Sequence, residues 1–373
     1  MKKSPLILCF CVAGLYVMGA LMLYSASYKE PASPRLYSHL IWVCFGGLTA
    51  SFLSVADHRR LQRPWVLYAL GSICILLLLV VFIPGIGVKV NGASRWIKGI
   101  GQPAEFAKPV VVALVAAWCA RRSSEEMRDL KQGFIVPALL GFIPALLVFA
   151  EPDWGTSALL CMLALSLLVV AGARGVHVAI TAVIGVTALA ILIAHNPVRL
   201  TRILVFLDPE AHRFGAGWQV WQSLLAIGSG GWQGAFLDGS PHKFGFVPEE
   251  QTDFIFARIG EETGLWGASL TLLLYAGILQ SGFRIMQRAD ERFSQLLAFG
   301  SVLAIVLQAL INIAVATGMV PNKGLPLPFV SYGGSNMIAM SVCLGLLLNV
   351  ARASNARQQP AHTPSGPEAK PAA

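Results

Sequence analysis

Runs of about twenty consecutive apolar residues recur along the whole chain, and a segment of that kind can satisfy its backbone in lipid only as a helix. Such runs lie near 6–26, 38–56, 65–84, 104–120, 134–150, 155–173, 177–195, 262–283, 295–317 and 333–351. They predict an all-α polytopic membrane protein of about ten transmembrane helices. Composition agrees: 55% of the 373 residues are hydrophobic and mean hydropathy is +0.66. The first run, Leu6 to Ala26, is too long for the apolar core of a signal peptide and has no clear small-x-small cleavage site. It reads as a retained span.

Charge orients the helices. With ten spans and a cytoplasmic N-terminus, sixteen cations and seven acids fall on inner segments, and twelve of each fall outside. That asymmetry obeys the positive-inside rule and puts both termini in the cytoplasm. The basic balance therefore reports topology and does not point to nucleic acid, because no basic stripe lies in a soluble region. All seven cysteines sit inside the spans without a C-x-x-C pair, and the histidines have no metal-ligand spacing. One membrane domain, 1–354, is followed by a Pro/Ala-rich tail, 355–373, with the composition of a disordered segment.

Most connections are short, but residues 196–252 form a large extracytoplasmic loop between helices 7 and 8. Its aromatic, amphipathic pattern predicts helices lying along the interface, anchored by Trp218, Trp221 and Trp232. Two smaller outer loops, 88–108 and 317–336, also carry charge.

The acids gather at the start of the eighth span. Glu249, Glu250, Asp253, Glu261 and Glu262 fall within "FVPEEQTDFIFARIGEE". Asp253 stands where loop becomes helix, which suits a carboxylate satisfying free backbone N–H groups. It also suits a general base whose pKa is raised by the flanking Phe254 and Phe256. Glu261 and Glu262 are placed to pair with Arg258. In "GQPAEFAK", Pro103 favours a helix start and puts Glu105 and Lys108 on one face, either as an ion pair or as part of a site. Outer cations (Arg95, Lys98, Arg199, Arg202, Lys243 and Lys323) contact lipid headgroups singly or, gathered with the acids, suit an anionic, phosphate-bearing substrate. "LPFVSYGGSN", with Ser331 and Tyr332, is either a loop closing a helix or irregular backbone lining a cavity.

Taken in order, "YSAS", "NGASRWI", "QPAEFAK", "EPDWGTS", "LDPE", "GAGWQVWQS", "AIGSGG", "FVPEEQTDFIFARIGEETG" and "LPFVSYGGS" span about residues 24 to 350. Together they resemble the shape, elongation, division and sporulation family of bacterial cell-wall polymerases, the FtsW and RodA type. "VNGASRWI" and the lysine of "VPNKGLPLPF" resemble the division branch, FtsW, and "LPLP" the elongation branch, RodA. The resemblance implies a glycosyltransferase of the bacterial cytoplasmic membrane. It would polymerise lipid II into glycan strands on the outer face, during division or elongation. It also implies that Asp253 is catalytic and that Glu105 and Lys108 are functional. The usual partner is a class B penicillin-binding protein that supplies the transpeptidase, among other division or elongation proteins. Arg95, Lys108 and Lys323 are candidates to hold the leaving pyrophosphate, with Ser331 beside them and a divalent cation, Mg or Mn, as a further candidate. The chain departs from the family pattern at Ala104, Glu151 and Gln251, where serine, glutamine and histidine are usual. The alternative class is a lipid II flippase, and a non-enzymatic scaffold is a third. No internal repeat of the transporter kind is visible, and the charges concentrate on one face.

Overall fold

A computed structural model describes residues 3–26, 34–90, 93–235 and 252–357. The ten expected spans are helices: α1 (Lys3–Ala26), α2 (Pro34–Val55), α3 (Pro64–Val80), α4 (Pro103–Ala120), α5 (Val136–Ala150), α6 (Trp154–Val170), α7 (Gly175–Ala194), α10 (Ile255–Arg288), α11 (Arg292–Ala316) and α12 (Gly334–Arg357). Eight of them are long and apolar enough to cross a membrane, and α3 and α6 are shorter apolar helices. Two further helices, α8 (Pro197–Leu207) and α9 (Trp218–Ser229), belong to the long loop. Residues 236–251, including Glu249, Glu250, Gln251 and Lys243, lie outside the described residues. So does most of the expected tail, although α12 runs on to Arg357.

The sequence reading missed one element. Gly87–Val90 (β1) and Ala93–Ile97 (β2) pair antiparallel as a hairpin inside the 88–108 loop. The signal was there: Asn91-Gly92 directly after Val88-Lys89-Val90 is the sequence signature of a two-residue hairpin turn.

In lipid, apolar surface gives helices no reason to associate, so close packing of small side chains and buried polar contacts must do it. The contact of α2 with α12 shows the first device. A Cβ at Gly46 would lie 2.6 Å from Ser341 Oγ, and one at Gly345 would lie 2.8 Å from Leu53 Cβ. The same Ser341 hydroxyl meets Tyr16 of α1 at 3.1 Å. Helices α4, α11 and α12 are buried over most of their length, whereas α7 has no buried residue and presents apolar side chains all round.

Helix α10 is broken at Gly264, with φ 62° and ψ −159°. A Cβ there would sit 2.6 Å from Trp232 O, so the break requires glycine. Residues 230–235 run against it and satisfy the groups it frees. Leu265 N donates to Gly231 O (2.9 Å) and Ala235 N to Glu261 O (3.0 Å). This explains why the loop is glycine-rich at that point. Before it, α9 docks through Val220, Ser223 and Ala226, and Ser223 Oγ donates to Ala316 O at 2.6 Å. Trp218 and Trp221 are half-buried, and Trp232 stays exposed beside Trp266.

Candidate active site

The break in α10 leaves a short first limb, Ile255 to Thr263, ahead of the long span. Phe254 caps it, so Asp253 stands just outside the helix. A buried ion pair stiffens the limb, with Arg258 Nη2 2.8 Å from Glu262 Oε1, and the same oxygen ties it to α1 by accepting from Ser25 Oγ at 2.6 Å. Glu262, one of the two glutamates expected to pair with Arg258, bridges it at i, i+4. Breaking such a pair by removing one partner costs about 3–5 kcal/mol, which fixes the limb that follows Asp253.

Between α11 and α12 the chain runs without regular structure through 318–333 and forms a strap across the same end of the bundle. Its carbonyls have no helix to bond within, so side chains from α11 and α10 take their place. Asn312 Nδ2 donates to Leu325 O at 2.6 Å and to Asp253 O at 2.8 Å. Gln308 Nε2 donates to Pro326 O (2.7 Å) and Asn336 Oδ1 (2.8 Å), and Tyr275 OH to Pro328 O (2.5 Å). Ser331 Oγ accepts from Leu327 N at 2.7 Å and donates to Thr252 O at 2.5 Å. The strap also contains Phe329, fully buried at φ 66°, a costly conformation for a bulky residue. The edge-to-face contact of its ring with Tyr16, at 5.4 Å, helps hold it there.

Below the strap, Lys108 Nζ donates to Glu105 Oε2 (2.7 Å) and Gln308 Oε1 (2.6 Å). Lys108 is 0% exposed and Glu105 2%. The pairing at i, i+3 is present, but it is sealed inside the bundle with the lysine engaged by two acceptors. Ser331 is likewise buried, with its hydroxyl used on both sides. Neither presents itself to an incoming ligand.

Asp253 meets the strap at Gly324, the residue after Lys323. The Asp253 carboxylate lies against the α-carbon of Gly324, where an added Cβ would meet Oδ2 at 2.7 Å. Lys323, the next residue along, packs its stem near Gly155 at the start of α6. Burial lowers the Lys323 pKa; Asp153 acts against that shift and Arg202 of α8 adds to it. Asp153 caps α6, accepting from Thr156 N (3.1 Å) and Thr156 Oγ1 (2.9 Å), and holds Gln102 Nε2 at 2.9 Å. Arg95 of β2 donates to the carbonyls of Glu151 (3.3 Å) and Pro152 (2.6 Å), which joins the hairpin to the α5–α6 turn. Glu151 in that turn is 0% exposed, and neither carboxyl oxygen has a hydrogen-bond partner among the described residues. Burial raises its pKa to about 8, with Asp153 adding to the rise and Arg95 opposing it.

One end of the bundle thus collects a partly accessible aspartate against Gly324, a lysine on the same strap, and an arginine of β2 bonded to the α5–α6 turn. A closed polar frame lies beneath them. Gln308 and Asn312, central to that frame, were missed by sequence reading. Their signal was two amides four residues apart in an otherwise apolar stretch of α11. Among the described residues no group of three or more His, Cys, Asp or Glu side chains converges in a way that could hold a metal ion. Among the described residues the donors do not form a protein-built Mg or Mn cage.

The profile of the family described as "Cell cycle protein", FtsW/RodA/SpoVE, matches residues 6–356. Stage V sporulation protein E of Bacillus subtilis (strain 168) is 37% identical over 364 residues, covering 95% of this chain and 98% of that one. A probable peptidoglycan glycosyltransferase FtsW of Tolumonas auensis is 38% identical, covering 93% of this chain and 91% of that one. Among solved structures, a chain from a study of polymerization and crosslinking by a peptidoglycan synthase complex superposes with a TM-score of 0.77. It is 27% identical, and the match covers 93% of this chain and 97% of that one. The rod shape determining protein RodA of Thermus thermophilus gives a TM-score of 0.67 at 28% identity, over 92% of this chain and 95% of that one. Helix order, motif order and both kinds of likeness agree: this multi-pass membrane protein belongs to the FtsW/RodA/SpoVE family.

Proposed function

We propose that this protein is a peptidoglycan glycosyltransferase of the bacterial cytoplasmic membrane that polymerises lipid II on the outer face, with Asp253 as general base. The observation that carries the reading is the Asp253 carboxylate held against Gly324, with Lys323 next along the strap, at a partly accessible point above a sealed polar frame. The excess of cations on the segments at the other end supports placing this end outside.

The residue types suit one displacement. Asp253 takes the proton from the acceptor sugar's 4-hydroxyl as that oxygen forms a bond to the donor's anomeric carbon. The bond from that carbon to the lipid pyrophosphate breaks, and the electron pair leaves with the pyrophosphate. Direct displacement inverts the anomeric centre. General-base help is worth roughly 10²–10⁴ in rate. Lys323 and Arg95 supply preplaced positive charge to the leaving group. Glu105, Lys108 and Ser331 act from within, holding the strap and Thr252. No step is routed through a metal. A class B penicillin-binding protein as transpeptidase partner belongs to the same reading, supported by the structural likeness to a chain studied in a peptidoglycan synthase complex.

The test is polymerisation of labelled lipid II by the protein purified with its transpeptidase partner. Asp253→Asn should cut glycan synthesis by about 10²–10⁴ while leaving the complex folded. Polymer made at the parental rate by that variant overturns the assignment. Lipid II movement across vesicles without polymer, indifferent to the substitution, would favour a translocase.

A further inference from the structure

Asn312 is 1% exposed inside an apolar stretch of α11, where a primary amide is costly unless it is paired. Both hydrogens of its Nδ2 are used, one on Asp253 O at 2.8 Å and one on Leu325 O at 2.6 Å. Two carbonyl acceptors dictate which end of the amide faces them, for only the NH2 group can serve both. Oδ1 on the other side is buried without a hydrogen-bond partner among the described residues. The side chain keeps this place for its donors alone.

The two carbonyls belong to the residue bearing the candidate base and to the residue after Gly324. Gly324 is also the wall that the Asp253 carboxylate touches, with room for no Cβ. The turn before α10 and the strap before α12 are therefore registered at two points: backbone to backbone through Asn312, and carboxylate to α-carbon at Gly324. Lys323 is carried on the same strap. A shift of the strap by a fraction of an ångström would change both the direction of the carboxylate and its separation from that cation. A misplacement of about 1 Å can cost about 10²-fold in rate.

We infer that Asn312 is a positioning residue for the Asp253 carboxylate, acting through the two backbone carbonyls it bridges and with Gly324 as the opposing wall. It touches no substrate. The inference rests on the reading of Asp253 as the base.

The test uses the full-length protein with its transpeptidase partner and lipid II, comparing Asn312→Ala, Gly324→Ala, the double variant and Asp253→Asn. Activity is normalised to folded protein by thermal melting. Asn312→Ala should lower kcat by about 10²-fold with KM for lipid II within about threefold. It should also displace the acidic limb of the kcat/KM–pH profile, which a merely structural defect would leave in place. Gly324→Ala, which leaves α11 untouched, should do the same by pushing the carboxylate. The double variant should be no worse than the poorer single variant, since both act on one group. Parental kcat and an unmoved acidic limb in Asn312→Ala, with Asp253→Asn inactive, overturn the inference and leave the base assignment standing. Additive losses in the double variant also overturn it. Full activity in Asp253→Asn removes the base assignment, and the inference with it.

Discussion

The two ends of this helix bundle are both rich in buried polar groups, and they use them differently. At the end away from Asp253, His58 is bonded on both ring nitrogens, Nδ1 to Asn349 Oδ1 (2.6 Å) and Nε2 to Ser294 Oγ (2.8 Å). Asn349 gives its amide hydrogens to Leu53 O and Ala56 O, and Arg292 reaches Arg122 O and Ala171 O. Those contacts close on themselves and join helix ends. At the Asp253 end the frame is closed only underneath. Above it, the Asp253 carboxylate is partly accessible and Gly324 is exposed beside it. Satisfied polar groups stiffen, whereas groups left available at an accessible surface can act on something else.

The largest expected effect tests the floor of that frame. Lys108→Met leaves the Glu105 carboxylate buried and removes the donor to Gln308, and should destabilise the protein by about 3–5 kcal/mol. Glu105→Gln combined with Lys108→Met removes the stranded charge and should recover a large part of that loss. Thermal melting in one detergent reads both. If the double variant is as unstable as the sum of the singles, the two side chains do not act as a pair. If Lys108→Met melts like the parent, the floor is not what holds the strap.

That floor also shows what sequence reading reaches and where it stops. The helices were readable because lipid imposes a length and a composition on every span. Asp253, Glu105 and Lys108 stood out because ionisable groups are rare in such a chain. Which of them faces a substrate was not readable. Lys108 and Ser331 looked as available as Lys323 until the packing placed two of them fully inside and left one half-buried. Gln308 and Asn312 went unnoticed because an amide carries no charge, and its role appears only once a strap from sixteen or so residues further on folds back over it. The hairpin before α4 was hidden because its strands are only four and five residues long and lie between spans whose apolar runs dominate the pattern.

Glu151 offers a sharper contrast between the ends, because its carboxyl has no hydrogen-bond partner among the described residues whereas His58 is fully paired. Burial lifts its pKa from 4.5 to about 8, so the folded protein holds a proton there that the unfolded chain releases. The resulting stability is present below the ordinary carboxylate range and is lost as pH rises toward about 8. Glu151→Gln keeps the shape and has no proton to lose. Its melting temperature should exceed the parent's by a margin that grows to several degrees between mildly acidic pH and about pH 8, then levels off. A constant margin would mean that the carboxyl is paired or hydrated in solution.

The smallest effect belongs to the closed end. His58→Phe should retain the ring that lies parallel to Phe293 at 6.2 Å, while losing both hydrogen bonds and orphaning Asn349 Oδ1 and Ser294 Oγ. A loss of about 1–2 kcal/mol follows from two neutral hydrogen bonds partly offset by the added apolar surface. Burial holds the His58 pKa below the ordinary imidazole value, although Asn349, Asp57 and Glu291 raise it and Arg59 lowers it further. The unfolded chain therefore binds a proton that the folded one refuses, and the parent loses stability as pH falls through the imidazole range. The variant has no such slope, so the gap in melting temperature between parent and His58→Phe should narrow from about pH 7.5 to about pH 5.5. Polymerisation per folded molecule should stay within about twofold of the parent. Loss of activity out of proportion to loss of fold would mean that the closed end is coupled to the open one. The contrast between a stiffening end and a reacting end would then have to be redrawn as two halves of one machine.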